Sequence, residues 1–421
     1  MTNTNRTNDF RTNIARNFGR SRPRLLLAFA LSAGLAMATG LGGCAGAFTG
    51  EGASKAKEKM DVMKSATEWQ TAHQAFLSGD LKKALKSVDR SIALSPNVPK
   101  SHVLRGRISM EQSNMEQAFK SFARASELDA SNAEAPYYMG IAYERIAQPQ
   151  KAMEFYSKAA DIDPESAQYA IATAEAMTDI GQVDEAETYL TTRQAAFEHN
   201  AGIRQTLGHI ATMRGNHTKA ALLLNDARLL APDDLGITED LVRAQVATSK
   251  FNDAEFNLTK MLQNPTLADR RDLQHLRVRC LVEVDRLLEA RELAIKLTNG
   301  DIGQSDVESW VQLGNISYLL KDSNRTKQAS ARVVALAPDR ADGYVMQGLH
   351  YRREGNLEHA RISFQRAAQI QPASETLVML GLVQRDLNQP GAARQSFAEA
   401  VKQNPSDATA TQLLAEVETG Q

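Results

Sequence analysis

Six alanines recur at one strict interval along this chain: Ala84, Ala118, Ala152, Ala186, Ala220 and Ala254, each 34 residues after the last. Prolines keep the same beat twelve residues downstream, at Pro96, Pro164 and Pro232, and again at Pro338, Pro372 and Pro405. Small residues stand twelve places upstream, at Ala72, Gly106, Gly140, Ala174 and Gly208, and after an irregular stretch at Gly314, Gly348 and Gly381. Such a period constrains folding strongly. Each period must be one supersecondary unit that cannot bury its apolar face alone, so neighbours have to stack.

Within a period the apolar residues fall at helical spacing in two short runs, joined by a turn at Gly79, Gly181, Gly215 or Gly355. The small residues let the first helix approach the second, aromatics fill the space between them, and the prolines end the second helix. Composition agrees, because aromatics are only 6% of residues while alanine is plentiful, which favours helix over sheet.

Three stretches carry a family signature. "APYYMGIAYERIAQPQKAMEFYSKAADIDP" holds Met139, Gly140, Tyr143, Ala152, Tyr156, Ala159 and Pro164 in order. "GYVMQGLHYRREGNLEHARISFQRAAQIQP" holds Tyr344, Gly348, Tyr351, Gly355, Ala360, Phe364, Ala367 and Pro372, and "SWVQLGNISYLL" holds Trp310, Leu313 and Gly314. The pattern resembles the tetratricopeptide repeat, with Thr326 departing from it where an alanine belongs. The resemblance covers residues 65–407 and implies an all-α fold, a right-handed α-solenoid of about ten helix-turn-helix repeats with a concave groove. Residues 408–421 continue as a helical pattern and are expected to cap the array.

The beat breaks twice. Around "QNPTLADRRDLQH" the unit is expected to shorten by one residue, with Pro265 arriving early and Thr266 at the proline position. Around "LTNGDIGQSDVES" several residues are inserted, with Gly300 and Gly303 among them. A widened loop is the favoured reading. A hinge dividing an N-terminal array (65–304) from a C-terminal one (305–407) is the alternative.

The start of the chain is different. Residues 1–43 carry six arginines against Asp9, a balance of +5, which leaves the remainder near -6. Then comes "LLLAFALSAGLAMATGLGG" and Cys44, the order of an export signal: positive region, apolar core, small residues. A membrane-spanning helix needs about 20 predominantly apolar residues, and this run is diluted by Gly34, Thr39, Gly40, Gly42 and Gly43. Leu41-Gly42-Gly43-Cys44 resembles the lipobox of bacterial lipoproteins. The resemblance implies cleavage before Cys44, a diacylglycerol thioether on its sulfur, and residues 44–64 as a lipidated tether that is either flexible or partly helical. Ala45 after the cysteine is similar to lipoproteins passed to the outer membrane. A plain signal peptide and an uncleaved anchor helix are the competing readings.

No catalytic or metal-ligand spacing emerges. The eight histidines are scattered, and His209 and His217 are expected to be surface residues. Cys280 is expected to be a small buried hydrophobe and Trp69 and Trp310 packing residues. A mildly acidic body opposes the phosphate attraction that nucleic-acid binders need. The expectation is therefore an interaction protein, without enzyme activity and with no cofactor beyond the covalent lipid on Cys44. Transferring the repeat register onto the first helices gives the candidate groove residues. They are Trp69, His73, Lys100, Arg107, Glu134, Tyr137, Glu175, Asp179, Gln205 and His209 at the front. At the back they are Asn315, Arg352, Arg353 and Arg385. Some family members clamp a peptide carboxylate with a lysine and an asparagine four apart. The matching pairs here, Val103/Arg107, Tyr137/Ile141 and Val311/Asn315, do not reproduce it. The resemblance implies protein partners in a bacterial cell envelope, with assembly of a pilus or secretion apparatus foremost. A receptor for extended peptides or glycans and an adaptor for cell-wall enzymes are the alternatives, and the oligomeric state stays open.

Overall fold

In a computed structural model of the chain, the structure describes residues 50–419. The expected export signal, Leu41–Gly43, Cys44 and the first residues of the expected tether lie outside the described residues. Contacts group the chain into two compact units, 1–60 and 61–421. The first is described only from Gly50, and it is helical there.

The described residues form 22 helices and no strand. They run as antiparallel pairs: α1 (Gly50–Leu77) with α2 (Leu81–Leu94), α3 (Pro99–Glu111) with α4 (Met115–Leu128), and α5 (Glu134–Arg145) with α6 (Pro149–Ile162). Next come α7 (Ala167–Asp179) with α8 (Val183–Arg193), α9 (Ala201–Met213) with α10 (His217–Leu230), and α11 (Leu235–Ala247) with α12 (Phe251–Leu262). Then α13 (Arg271–Glu283) pairs with α14 (Leu287–Leu297), a short α15 (Gly300–Ser305) follows, and α16 (Val307–Leu319) pairs with α17 (Ser323–Leu336). The array closes with α18 (Ala341–Arg353) and α19 (Leu357–Ile370), α20 (Ser374–Asp386) and α21 (Pro390–Gln403), and a single α22 (Ala408–Thr419). This is an α-solenoid of ten helix pairs.

The beat sits at the centre of each pair. All six periodic alanines are at most 2% exposed, and Ala290, Ala360 and Ala393 take the same place later. Opposite the small residues stand large ones sixteen positions on. A methyl group on Gly106 would lie 2.3 Å from Phe122, on Gly140 2.6 Å from Tyr156, and on Gly381 2.4 Å from Phe397. Sizes are matched within pairs: Ala72 shares a core cluster with Val88, Ala174 with Leu190, and Val278 with Ala294, where large and small are exchanged. At Gly314 the residue sixteen on is Ser330, and Met346 from the following pair fills the space instead.

Each turn inside a pair rests on one residue in the left-handed region: Gly79, Ser113, Ala147, Gly181, Gly215, Ser249, Asp285, Lys321, Gly355 and Asn388. The amide after it reaches back to close the first helix, as Asn114 N–H does to the Ser109 carbonyl at 2.8 Å. Where that next residue is Asp80, Asn114, Asn216, Asp322 or Asn356, its side chain also caps the second helix. The four expected glycines are turn residues, and six further turns use other residue types.

Both breaks differ from the expected register. From Ala254 to Ala290 is 36 residues, so the first break lengthens rather than shortens the unit. α12 stops at Leu262, and Pro265 lies in an eight-residue connection rather than at the beat's proline position. Asn264 shapes that connection by accepting from the Thr266 amide at 2.9 Å and its hydroxyl at 2.8 Å. The second break is no open loop but α15, a helix of six residues. α13 and α14 on one side of it both pack directly on α16 on the other, and residues 61–421 form one compact unit. The second half of the expected tether is helical, because α1 starts at Gly50. At the far end α22 buries Ala410 against Leu377, Val378 and Ala400.

Candidate partner-binding face

The first helices of successive pairs lie side by side, and polar contacts link several of them to the next. Trp69 Nε1 donates to the Lys100 carbonyl at 3.2 Å, and Gln168 Nε2 to Tyr137 Oη at 2.9 Å. Gln205 donates to Asp240 at 2.8 Å, and His209 Nε2 lies 2.8 Å from the same carboxylate. His275 Nε2 stands 3.0 Å from Asp306. Four of these links join residues 31 apart, because the repeat of 34 is offset by about one helical turn between neighbours. The result is one continuous face.

Several of the front residues fall into local contact groups. The Trp69 and His73 rings stack with centroids 5.1 Å apart, and the Lys100 ammonium sits 4.8 Å over Trp69. Arg107 lies between Phe76 and Tyr138, 4.9 and 4.7 Å from their rings. Tyr137 is at the centre of an aromatic group, 5.4 Å from Tyr138, 5.6 Å from Tyr156 and 5.1 Å from Tyr169. Burial raises its pKa; the Gln168 hydrogen bond opposes this and the charges of Glu175 and Glu144 add to it. Glu134, Asp179 and Asn315 are exposed at the helix surface, and Glu175 is half-buried.

His209 and His217 are half-buried rather than on the surface. Burial pulls the His209 imidazole down, but the Asp240 hydrogen bond and charge, with Glu175, leave it above its ordinary value. The rear arginines are engaged by the chain itself. Arg353 lies 3.7 Å from the Tyr318 ring and donates to the Tyr318 carbonyl at 2.7 Å, Arg352 pairs with Asp386 at 3.6 Å, and Arg385 with Glu416 at 3.4 Å. Cys280 is fully buried, and burial pushes its thiol up to about 11. Trp310 packs into the core around α16, and Trp69 stays half-exposed on the face.

Asp240, Gln168, Asp306 and Arg271 are the partners that the register projection misses. Asp306 is the most densely engaged, receiving Arg271 Nε at 2.9 Å, His275, and the Ser309 hydroxyl at 2.9 Å while capping α16. Burial opposes its ionisation, yet these donors hold the carboxyl down to about 2. Among the described residues no group of three or more His, Cys, Asp or Glu could hold a metal ion, and no helix is long and apolar enough to cross a membrane.

Residues 104–167 and 378–421 match one tetratricopeptide-repeat family model, and residues 341–374 match another. These stretches are tetratricopeptide repeats. The chain is 33% identical over 91 residues to Superkiller complex protein 3 of Mus musculus, across 20% of this chain and 6% of that protein's length. It is also similar to a tetratricopeptide repeat protein from Parabacteroides merdae, at 14% identity over 76% of this chain and 99% of that one, with a TM-score of 0.40. PilW, a type IV pilus biogenesis factor, is 19% identical over 48% of this chain and 93% of its own, with a TM-score of 0.41.

Proposed function

We propose that the chain is a non-catalytic interaction scaffold of the bacterial cell envelope, tethered by lipid on Cys44 to the outer membrane and facing the periplasm. The observation that carries the scaffold reading is the continuous first-helix face. It presents aromatic and charged side chains, several of them held in place by contacts between repeats from Trp69 to Asp306. Tetratricopeptide repeats bind protein partners, and stacking them makes an extended surface for doing so.

The tether rests on Leu41-Gly42-Gly43-Cys44 behind the arginine-bearing apolar run. Acyl chains add about 0.8 kcal/mol of membrane affinity per buried CH₂, so two or more make a stable anchor. The machine proposed is a pilus or secretion apparatus, by analogy with the many-repeat lipoproteins that the sequence resembles.

Expressed in a lipoprotein-processing bacterium, the parent chain is expected to incorporate labelled palmitate and fractionate with membranes, and Cys44→Ala to do neither. Unchanged label and fractionation would overturn the lipid anchor. Crosslinking followed by capture from detergent extract is expected to return a discrete set of membrane proteins. Recovery of short peptides or glycans alone would replace the scaffold with a receptor.

A further inference from the structure

The outward position of the second helices turns apolar midway along the array. Two residues after the periodic alanine stand Lys86, Lys120, Glu154 and Thr188 on α2, α4, α6 and α8, all exposed. On the next two second helices the same position is Leu222 of α10, 60% exposed, and Phe256 of α12, 57% exposed. Leu229, two turns along α10 on the same side, is 65% exposed. One turn beyond the first two stand exposed charges, Asp226 four residues after Leu222 and Lys260 four after Phe256. The Lys260 ammonium lies 4.5 Å over the Phe256 ring. Neither charge pairs with an opposite one of its own chain among the described residues. α11 packs on both α10 and α12, which run in the same direction.

This patch is complementary to itself. A two-fold axis parallel to α10 and α12 and midway between them lays α10 of one copy on α12 of the other. Because the two helices share one register, residues 34 apart stand at equal heights, so Leu222 meets the partner's Phe256 and Asp226 meets the partner's Lys260. Each contact occurs twice. The apolar pairs lie beside the charged ones, as an interface core lies beside its rim. From this complementarity of charge and shape we propose that the outward face of α10 and α12 docks a second copy of this chain. The two helices, each about 20 Å long and 10 Å across, cover on the order of 400 Å². That is half the share of a standard interface, so the dimer is weak, with a Kd in the micromolar range. It leaves the first-helix face open, and neither the scaffold reading nor the lipid anchor depends on it.

Charge reversal tests the pairing directly. Sedimentation velocity of the full chain in density-matched detergent, from low to high micromolar concentration, is expected to show a reversible monomer–dimer equilibrium. Asp226→Lys and Lys260→Asp each turn two attractive contacts into repulsive ones, and each is expected to weaken the dimer roughly tenfold. Mixed in equal amounts, the two variants face each other with opposite charges, and the mixture is expected to dimerise at least as tightly as the parent. Only a contact between copies gives that rescue, since a change of charge within one chain is the same alone or mixed. Glu154→Lys, at the register position of Leu222 but on α6, is expected to leave the equilibrium unchanged. Dimers indifferent to either reversal, or a mixture no tighter than its components, would overturn the proposal. So would a monomer at every concentration; loss of a captured envelope protein or of vesicle binding in Phe256→Ser would then assign the patch to that occupant instead.

Discussion

At the residue scale, two positions in the repeat decide whether a pair of helices can form. The first is the small residue facing the second helix. Its identity was legible because the spacing repeats, and its cause is steric: a methyl on Gly106 would lie 2.3 Å from the buried Phe122 ring. Gly106→Ala is expected to destabilise the array by about 1–3 kcal/mol, the usual cost of overpacking. An unchanged denaturant midpoint would contradict the packing argument. The second is the left-handed turn residue. Ala147 holds φ at +55 without glycine's freedom, a conformation that costs an L-residue roughly 1–2 kcal/mol. Ala147→Gly is therefore expected to stabilise by about 1 kcal/mol, after allowing for glycine's larger unfolded-state entropy. A lower unfolding midpoint would show that the turn is not strained there. Only four of the ten turns were read from the sequence, through glycine, the residue type that announces a positive φ most plainly. Ser113, Ala147 and Lys321 adopt it under the constraint of the helices on either side.

At the element scale, the periodic helices were legible and the insertions were not. A period identifies an element because apolar positions recur on one face. α15 is a single short stretch of six residues with no second copy to compare, and Pro265 imitated a repeat landmark while lying in a longer connection. The structure closes the gap around α15 with polar contacts. Arg271 donates to the Leu297 carbonyl at the end of α14 and to Asp306 at the start of α16, and Arg332 on α17 donates to the Gln304 carbonyl in α15 at 2.9 Å. Asp306 gives this junction a pH signature. Its folded pKa, about 2, lies below the ordinary value of 3.8. Its stabilisation is therefore complete above pH ~4, and it is lost as pH falls toward ~2. Asp306→Asn is expected to cost roughly 2 kcal/mol at neutral pH, and the gap between variant and parent to close towards pH ~2. Denaturant midpoints measured at neutral and acid pH check this, and a difference independent of pH would contradict the assigned role.

At the scale of the whole molecule, the fold was legible because ten copies of one local rule leave few ways to bury their apolar faces. The register proposed the front residues, since a position on one first helix recurs on the next. What it could not supply was the stagger between neighbours, which sets the 31-residue links such as His209 to Asp240, nor the pairing of Arg352, Arg353 and Arg385 with their own chain. Side-chain partners across repeats depend on three-dimensional offset, and one sequence does not encode that offset in any single residue. The central claim is that partners are held on the first-helix face. Photocrosslinking from the exposed first-helix positions Lys100, Gln168 and Asn315, against the exposed second-helix positions Lys120, Glu154 and Gln328, tests it most directly. Performed on the full chain in the native host, it is expected to give discrete protein adducts from the first set and little from the second. Adducts from the second set alone, or equal yields from both, would contradict the account.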